Sequence, residues 1–364
     1  MQRSVLILAP DTDPHASALT WALERQGIHA VWIPSLQARP GVHYAFHIST
    51  EHEYLLDSTV DAGEVSAVWN RRLHDPEPTC DEADRGFASL EWKLFQRNLF
   101  SLEHTYGDAL WINRFAAAQR AESKLVQLSV CRQLGIPFPE TVVTTDVEQI
   151  DALRKKWGHI IFKSFLIHQW QDRESGQQHA VGVVLLDERS ELPAESIAVC
   201  PGIYQRYIDK SRDIRVTVIG DHLFPLSFRK VSGNGFVDWR PHADHPELLA
   251  EAITLPGPVE TRLRALMREL GLVFGCIDLV VDHDDNYYFL EVNQAGQFLF
   301  VEDMMPSYPI LQTMAALLAS GRTDVSVDTM KAVPMKQFRE SEAFNGLKER
   351  VGRSTPERAI FSLE

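Results

Sequence analysis

The first third of the chain alternates short apolar runs with amphipathic segments. Val5 to Leu8 reads as a buried strand. Asp13 and Pro14 open a helix with Ala18, Leu19, Ala22 and Leu23 on one face, which ends near Gly27, and His29 to Ile33 completes a β-α-β unit. The turn between the first strand and the helix, APDTDPHAS, lacks the glycines of a nucleotide-binding fingerprint, so no dinucleotide domain is expected here. Val65 to Arg72 predicts another strand, ending in two arginines. Phe87, Leu90, Leu94, Phe95, Leu99 and Leu102 recur at helical spacing and predict a core-facing helix. Trp111, Ile112 and Asn113 lead out of this unit.

A long helix is predicted over Ala116 to Leu134, stopped by Gly135 and followed by Pro137; it carries Lys124. Thr141 to Thr145 is β-branched and reads as a strand, and Asp146 opens a helix with Gln149 placed for a capping box. His159 to Lys163 is an apolar strand tipped by a lysine, which on its own could simply extend to solvent. Ile203 to Asp209 and Asp213 to Ile219 read as strands. Gly220 and Asp221 then turn the chain into His222 to Phe228, followed by Arg229 and Lys230. A loop runs from Val231 to Arg240. Leu263, Leu266, Met267 and Leu270 mark a helix, and Ile310 to Leu318 a closing one. Gly321 to Glu364 is polar and weakly periodic, and the pattern assigns it nothing.

The richest chemistry lies between Gly275 and Asp303. Cys276 to Val281 is apolar apart from Asp278, a turn covers Asp282 to Asn286, and Tyr287 to Val292 is interrupted only by Glu291. As a hairpin this brings Asp278 near Glu291, and Glu291 shares a face with Asn293 because side chains repeat every two residues along a strand. Two carboxylates and an amide oxygen converging on one spot suit Mg²⁺, a hard cation that prefers oxygen ligands and often shares its shell with nucleotide phosphates. The alternative is an antiparallel pair with a polar face toward solvent. Against it, both carboxylates sit among Ile277, Leu279, Leu290 and Val292, and buried carboxylates need partners.

Composition narrows the setting. At 364 residues the chain exceeds one ordinary core, so two or three packed units are expected. With 36 basic and 50 acidic residues the net charge is −14, which argues against sequence-independent nucleic-acid binding while leaving room for a local basic cleft. Cys80, Cys131, Cys200 and Cys276 are scattered without metal-ligand or redox spacing, which suggests a reducing cytoplasm. No signal-peptide pattern and no bilayer-spanning apolar stretch is evident, so no membrane association is expected.

The order of elements is specific: Lys124 on a helix, GIPFPETVVTTD, a lysine-tipped strand, YQRYIDKSRDIRV, then Asp278 with Glu291 and Asn293. Over about residues 113–320 it resembles the ATP-grasp superfamily of carboxylate–amine or thiol ligases. The strings DPHASALTWALERQG, VWNRR, ALWINRFAAAQRAESKLVQLSVCRQLGIPFPETVVTTD and DWR further resemble ribosomal-peptide maturases of the microviridin-ligase type, the graspetide synthetases. The resemblance implies an α/β and α+β multidomain fold. An N-terminal pre-ATP-grasp βαβ-type domain would span 1–113, the central ATP-grasp subdomain 114–200, and the C-terminal subdomain with the metal site 201–320, with 321–364 an unassigned tail.

The resemblance also implies ATP and Mg²⁺, with two ions expected. Lys124 and Lys163 would neutralise phosphates. Gln205 to Ile208 would form the adenine hinge, with backbone groups around Tyr207 and Ile208 reading the purine edge. Asp278, Glu291 and Asn293 would hold Mg²⁺, and Arg215, Arg229 and Arg240 would contact the transferred phosphoryl group or the acyl phosphate. The chain departs from the pattern in two places. Ser164 to Gly182 offers only Gly176 in its middle where a glycine-rich lid is usual, and the hinge carries Gln205 and Arg206 where many relatives have an acidic residue. The implied reaction is ATP-dependent ω-ester or ω-amide formation within a precursor peptide comprising a leader and a core with acidic and hydroxyl side chains; a homodimer is left open. Addition of an amino acid to a peptide or protein is the competing reaction. A nucleotide-binding regulatory module is the third reading, disfavoured by the intact lysine and metal-ligand set.

Overall fold

The structure is a computed structural model that describes residues 4–34, 46–50, 53–55, 64–73, 78, 80–165, 168–171, 178–231 and 247–354. Strand β1 (Ser4–Ala9), helix α1 (Pro14–Arg25) and strand β2 (His29–Pro34) form the opening unit. Asp13 caps α1 by accepting the Ala16 N–H at 2.8 Å, and Pro14 fills the first turn, where its missing N–H costs nothing. Ala18, Leu19, Ala22 and Leu23 are fully buried along the helix. Each leucine so placed contributes about 1.5–3 kcal/mol of burial. After the short antiparallel pair β3 (Phe46–Ile48) and β4 (Glu53–Leu55) come β5 (Val65–Asn70), α2 (Glu82–Asn98), α3 (Leu102–Thr105) and β6 (Leu110–Ile112). The front sheet has the order β2-β1-β5-β6 and is parallel throughout.

Helix α2 differs from the sequence expectation. Phe87, Leu90 and Leu94 are 70%, 55% and 41% exposed, whereas Leu99 and Leu102 beyond its end are buried. The helix leans on the core with the edge that carries Trp92 and Phe95, so of the expected stripe within the helix only Phe95 meets the core.

The expected long helix is two, α4 (Phe115–Glu122) and α5 (Lys124–Gln133). Ser123 is extended between them, and its hydroxyl caps α5 by accepting the Val126 N–H at 3.4 Å. Next come β7 (Thr141–Thr144), α6 (Val147–Trp157), β8 (Ile160–Lys163), the antiparallel pair β9 (His168–Gln171) and β10 (Gln178–Val181), β11 (Val184–Leu186), α7 (Ala194–Val199) and β12 (Gly202–Arg206). The middle sheet is antiparallel, in the order β11-β8-β12-β7. Its alternation is clear: Val142, Phe162 and Tyr204 pack against Ile150 and Leu153 of α6 on one face.

The third sheet contains β13 (Lys210–Ile219), β14 (His222–Lys230), β15 (Leu248–Ala252), β16 (Phe274–Asp282) and β17 (Tyr287–Asn293), with α8 (Gly257–Leu270) between β15 and β16. It is antiparallel, in the order β15-β14-β13-β16-β17. Val216, Ile277 and Val292 pack on α8, while Leu226, Phe228, Phe274 and Cys276 share a core with α1. The chain ends in α9 (Phe300–Met304), α10 (Ile310–Ser320), α11 (Met335–Arg339) and α12 (Glu342–Ser354).

These last helices give the tail beyond Gly321 a place. Met335, Phe338, Phe344 and Leu347 are buried in the core that holds α1, with Phe338 5.7 Å from Trp21 between ring centroids. The buried Glu302 carboxylate ties it in by accepting the Leu311 N–H at 2.7 Å and the Met335 N–H at 2.8 Å. Gly220, at φ +56°, turns β13 into β14 where a Cβ would strike the Thr323 carbonyl. No helix among the described residues is long and apolar enough to cross a membrane.

Candidate active site

The second face of the middle sheet looks onto α5 and the edge strand β17. Thr141, Lys163 and Gln205 line a cleft there together with Lys124 and Leu128 of α5 and Leu290 of β17. Lys163 therefore faces the cleft rather than bulk solvent, because Phe162 beside it takes the α6 face. Its Nζ donates to Gln205 Oε1 at 3.2 Å, and Gln205 Nε2 donates to Thr141 Oγ1 at 2.8 Å, so one polar chain crosses β8, β12 and β7. Gln205 is 1% exposed, and an amide with both ends engaged suits that burial.

Helix α5 serves β17 twice. Lys124, its first residue, pairs with Glu291. One turn on, the buried Gln127 accepts the Val292 N–H at 3.0 Å and donates to the Val292 carbonyl at 2.9 Å, taking the place of a neighbouring strand at the sheet edge. Glu291 Oε1 also accepts from Asn293 Nδ2 at 3.2 Å. Asp278 lies opposite Glu291 across β16 and β17, with the register shifting by one residue immediately after this pair, at Leu290.

Asp278 is also opposite Arg215 across β13 and β16, and Arg215 Nη1 donates to its two oxygens at 2.8 and 2.9 Å. Arg215 Nη2 donates to the Gln297 carbonyl at 2.9 Å. Burial by itself would lower the arginine pKa, but the Asp278 carboxylate, with Cys276 and Glu291 adding to it, outweighs burial and raises the pKa well above its usual value. Lys124, Glu291, Asn293, Asp278 and Arg215 thus form a contiguous charged group beside the cleft.

The remaining sequence candidates lie elsewhere. Tyr207 and Ile208 join β12 to β13, and so link the middle and third sheets. The Tyr207 N–H donates to the His159 carbonyl at 3.1 Å, so that amide already has a partner; Ile208 is buried. Strand alternation puts Arg229 on the opposite face of the third sheet from Arg215, where its Nε donates to Glu251 at 3.2 Å in a half-exposed pair. Arg240 and part of the segment inspected for a lid, including Gly176, lie outside the described residues.

Among the described residues, no three His, Cys, Asp or Glu side chains gather as a metal cluster. Asp278, Glu291 and Asn293 offer two carboxylates and an amide. Arg215 and Lys124 balance the carboxylates in this structure. An all-oxygen donor set with negative charge fits a hard divalent cation and excludes a soft one.

Residues that the sequence did not single out complete the surroundings. Asn113 is buried where the front sheet meets the third: its Oδ1 accepts the N–H groups of Val273 and Phe274 at 2.8 and 3.0 Å, and its Nδ2 donates to the Phe274 carbonyl at 2.9 Å. Gln127 carries a signal only in its spacing, three residues after Lys124. Asp13, His15, Arg71 and Gln297 stand in loops or at element ends, where no periodicity marks them.

The fold is that of the ATP-grasp ligases. Three solved structures are similar over most of their length. The macrocyclase MdnC of Microcystis aeruginosa MRC, bound with its precursor peptide MdnA, is 23% identical; the match covers 86% of this chain and 98% of that one with a TM-score of 0.71. A Chryseobacterium gregarium RiPP-associated ATP-grasp ligase, in complex with ADP and a leader and core peptide, is 20% identical over 91% of this chain and 100% of that one, TM-score 0.74. The macrocyclase MdnB of Microcystis aeruginosa MRC is 24% identical over 87% and 99%, TM-score 0.69. No family model and no curated protein matches the chain.

Proposed function

We propose that the chain is an ATP-dependent ligase that forms ω-ester or ω-amide links within a ribosomally made precursor peptide. The observation that carries this reading is a cleft lined by Lys124 and Lys163, with Glu291, Asp278 and Arg215 in the charged group that continues from Lys124 beside it. A macrocyclase bound with its precursor peptide and a RiPP-associated ligase in complex with a leader and core peptide match 86% and 91% of this chain, which supports a peptide substrate over a free amino acid. The domain division at 113, 200 and 320 belongs to the same proposal.

In this reading a side-chain carboxylate of the peptide attacks the γ-phosphorus of ATP, and ADP leaves. A hydroxyl or amine of the same peptide then attacks the acyl phosphate carbon, loses its proton, and expels inorganic phosphate. Lys124 and Lys163 supply point charges for the phosphates, and Leu128 and Leu290 an apolar wall for the base. Asp278, Glu291 and Asn293 would hold Mg²⁺, which supplies charge neutralisation at the phosphoryl oxygens. Arg215 faces the same charge as a fixed donor that needs no reorganisation. The chain contributes no covalent nucleophile.

Turnover tests the reading. ADP release is expected to be slow with MgATP alone and faster with the cognate precursor, because placing the peptide carboxylate against ATP supplies much of the rate. ADP release that no precursor accelerates, and that a free amino acid does, would replace this reading with amino-acid ligation.

A further inference from the structure

The chain between β17 and α9 follows directly on Asn293 and has no regular structure at residues 295–298. Side chains more than 200 residues away in sequence hold its main chain in place. Arg71 Nη1 donates to the Ala295 carbonyl and, at 3.1 Å, to the Gly296 carbonyl. Arg72 Nη2 donates to the Ala295 carbonyl at 3.3 Å. The Phe298 N–H donates to His15 Nε2 at 3.2 Å. An amide N–H can only donate, so Nε2 accepts, while His15 Nδ1 lies 3.3 Å from Arg71 Nη2 and 3.7 Å from Asp13 Oδ1. Asp13 Oδ2 lies 3.3 Å from Arg71 Nε and closes the cluster. Arg71 is 1% exposed, and Asp13 and His15 are buried with it.

Arg215 grips the same segment from the other side, through the Gln297 carbonyl at 2.9 Å. Between the two arginines the packing is tight: a Cβ on Gly296 would sit 2.9 Å from Arg215 Nη2 and 2.8 Å from the Cys276 Cβ. Two buried guanidiniums therefore share four residues of backbone. One faces the front sheet. The other faces Asp278.

We propose that Arg71, fixed by Asp13 and His15, is a positioning residue: it sets residues 295–298 so that Arg215 keeps its aim at Asp278 and the reacting phosphoryl group. The proposal rests on the phosphoryl-transfer reading of Arg215 and Asp278 given above. It makes the front sheet part of the active site. Apolar side chains could join the sheets without burying an ion pair, which often stabilises no better than well-packed hydrophobic residues. A guanidinium fork, in contrast, fixes two adjacent carbonyls and a carboxylate at once, which a lysine cannot do.

The test compares Arg71→Lys and Gly296→Ala with wild type in MgATP alone, so that an error in the peptide assignment leaves it intact. ADP release gives kcat, calorimetric titration of MgAMP-PNP gives Kd, and circular dichroism gives the folded fraction. For each folded molecule, kcat is expected to fall about ten- to hundredfold, with Kd within about threefold of wild type, since small misplacements cost rate more than affinity. Arg71→Lys keeps the charge beside Asp13 but loses the fork. Gly296→Ala leaves Arg71 untouched and pushes on Arg215. If Arg71→Lys fails to fold, Asp13→Asn decides, because the amide keeps the α1 cap and withdraws the charge that fixes Arg71. Unchanged kcat in the folded variants, or kcat and affinity falling in parallel, overturns the positioning role. Wild-type protein that does not bind MgAMP-PNP overturns the nucleotide reading itself, and the positioning role with it.

Discussion

Replacing Arg215 with Met should expose the cost of the charge pair beside the cleft. Arg215 and Asp278 are 5% and 8% exposed, and the arginine makes two bonds to the carboxylate and one to Gln297. Removing one partner of such a pair leaves the other charge buried and uncompensated, at a cost of about 3–5 kcal/mol. With an unfolding entropy of about 2.1 cal/mol/K per residue, that lowers Tm by about 4–7 °C if the chain melts as one unit. Asp278→Leu should cost a similar amount by stranding the cation. The double variant should recover most of it, because both charges are then gone. Thermal melts of the four proteins give the coupling energy directly, expected at about 5–8 kcal/mol, the sum of the two single costs less the small cost left in the double variant. Single costs that simply add, to within about 0.5 kcal/mol, would show that the two side chains do not depend on each other and refute this account of the pair.

Three further outcomes are expected. Lys163→Met should weaken MgAMP-PNP binding about tenfold or more by calorimetry while Tm moves little, because the apolar stem is kept and a phosphate loses its charge; an unchanged Kd would return Lys163 to a structural role. Glu291→Ala should abolish Mg²⁺-dependent ADP release with the circular dichroism spectrum preserved, since it removes a charged donor and the Lys124 partner together; near-wild-type release would remove Glu291 from the metal set. His15 should make the fold acid-sensitive. Burial and the neighbouring Arg71 lower its pKa from 6.5 to about 3, against the opposing pull of Asp13. The folded state therefore resists a proton that the unfolded chain accepts, so stability is complete above about pH 6.5 and declines as pH falls toward 3, by several kcal/mol. His15→Gln should flatten urea midpoints over that window, and an equally steep decline in the variant would assign it to other groups.

What the sequence revealed depended on whether a residue's role is local. The hairpin of β16 and β17 was legible from its alternation and the Asp282–Asn286 turn, but Asp278 faces Glu291 because a bulge at Leu290 shifts the register that the turn sets. The opening β-α-β unit was legible from its own pattern. Helix α2 misled because periodicity reports that a helix has an apolar stripe, and tertiary packing decides which edge meets the core; Trp92 and Phe95 meet it here. The break at Ser123 was hidden because a serine is tolerated within a helix and becomes a cap only when the backbone turns. The tail was illegible because its stripe is sparse, although Phe344, Leu347 and Val351 do follow helical spacing. Asp13 and Arg71 read as a helix start and a strand end, but their grouping with His15 was not legible. The cluster's partners are main-chain carbonyls and an amide at residues 295–298, and main-chain groups leave no mark on a sequence.

The central claim, that the chain joins side chains within one peptide, is tested most directly by intact-mass spectrometry of the cognate precursor after incubation with the protein, ATP and Mg²⁺. Both cyclisation and amino-acid ligation release ADP and phosphate, so nucleotide assays alone cannot separate them, whereas peptide mass can. The account predicts successive losses of one water per bond formed, with no free amino acid required and no loss when ATP is omitted. Mass gains of whole amino-acid residues, dependent on added amino acid, would contradict it.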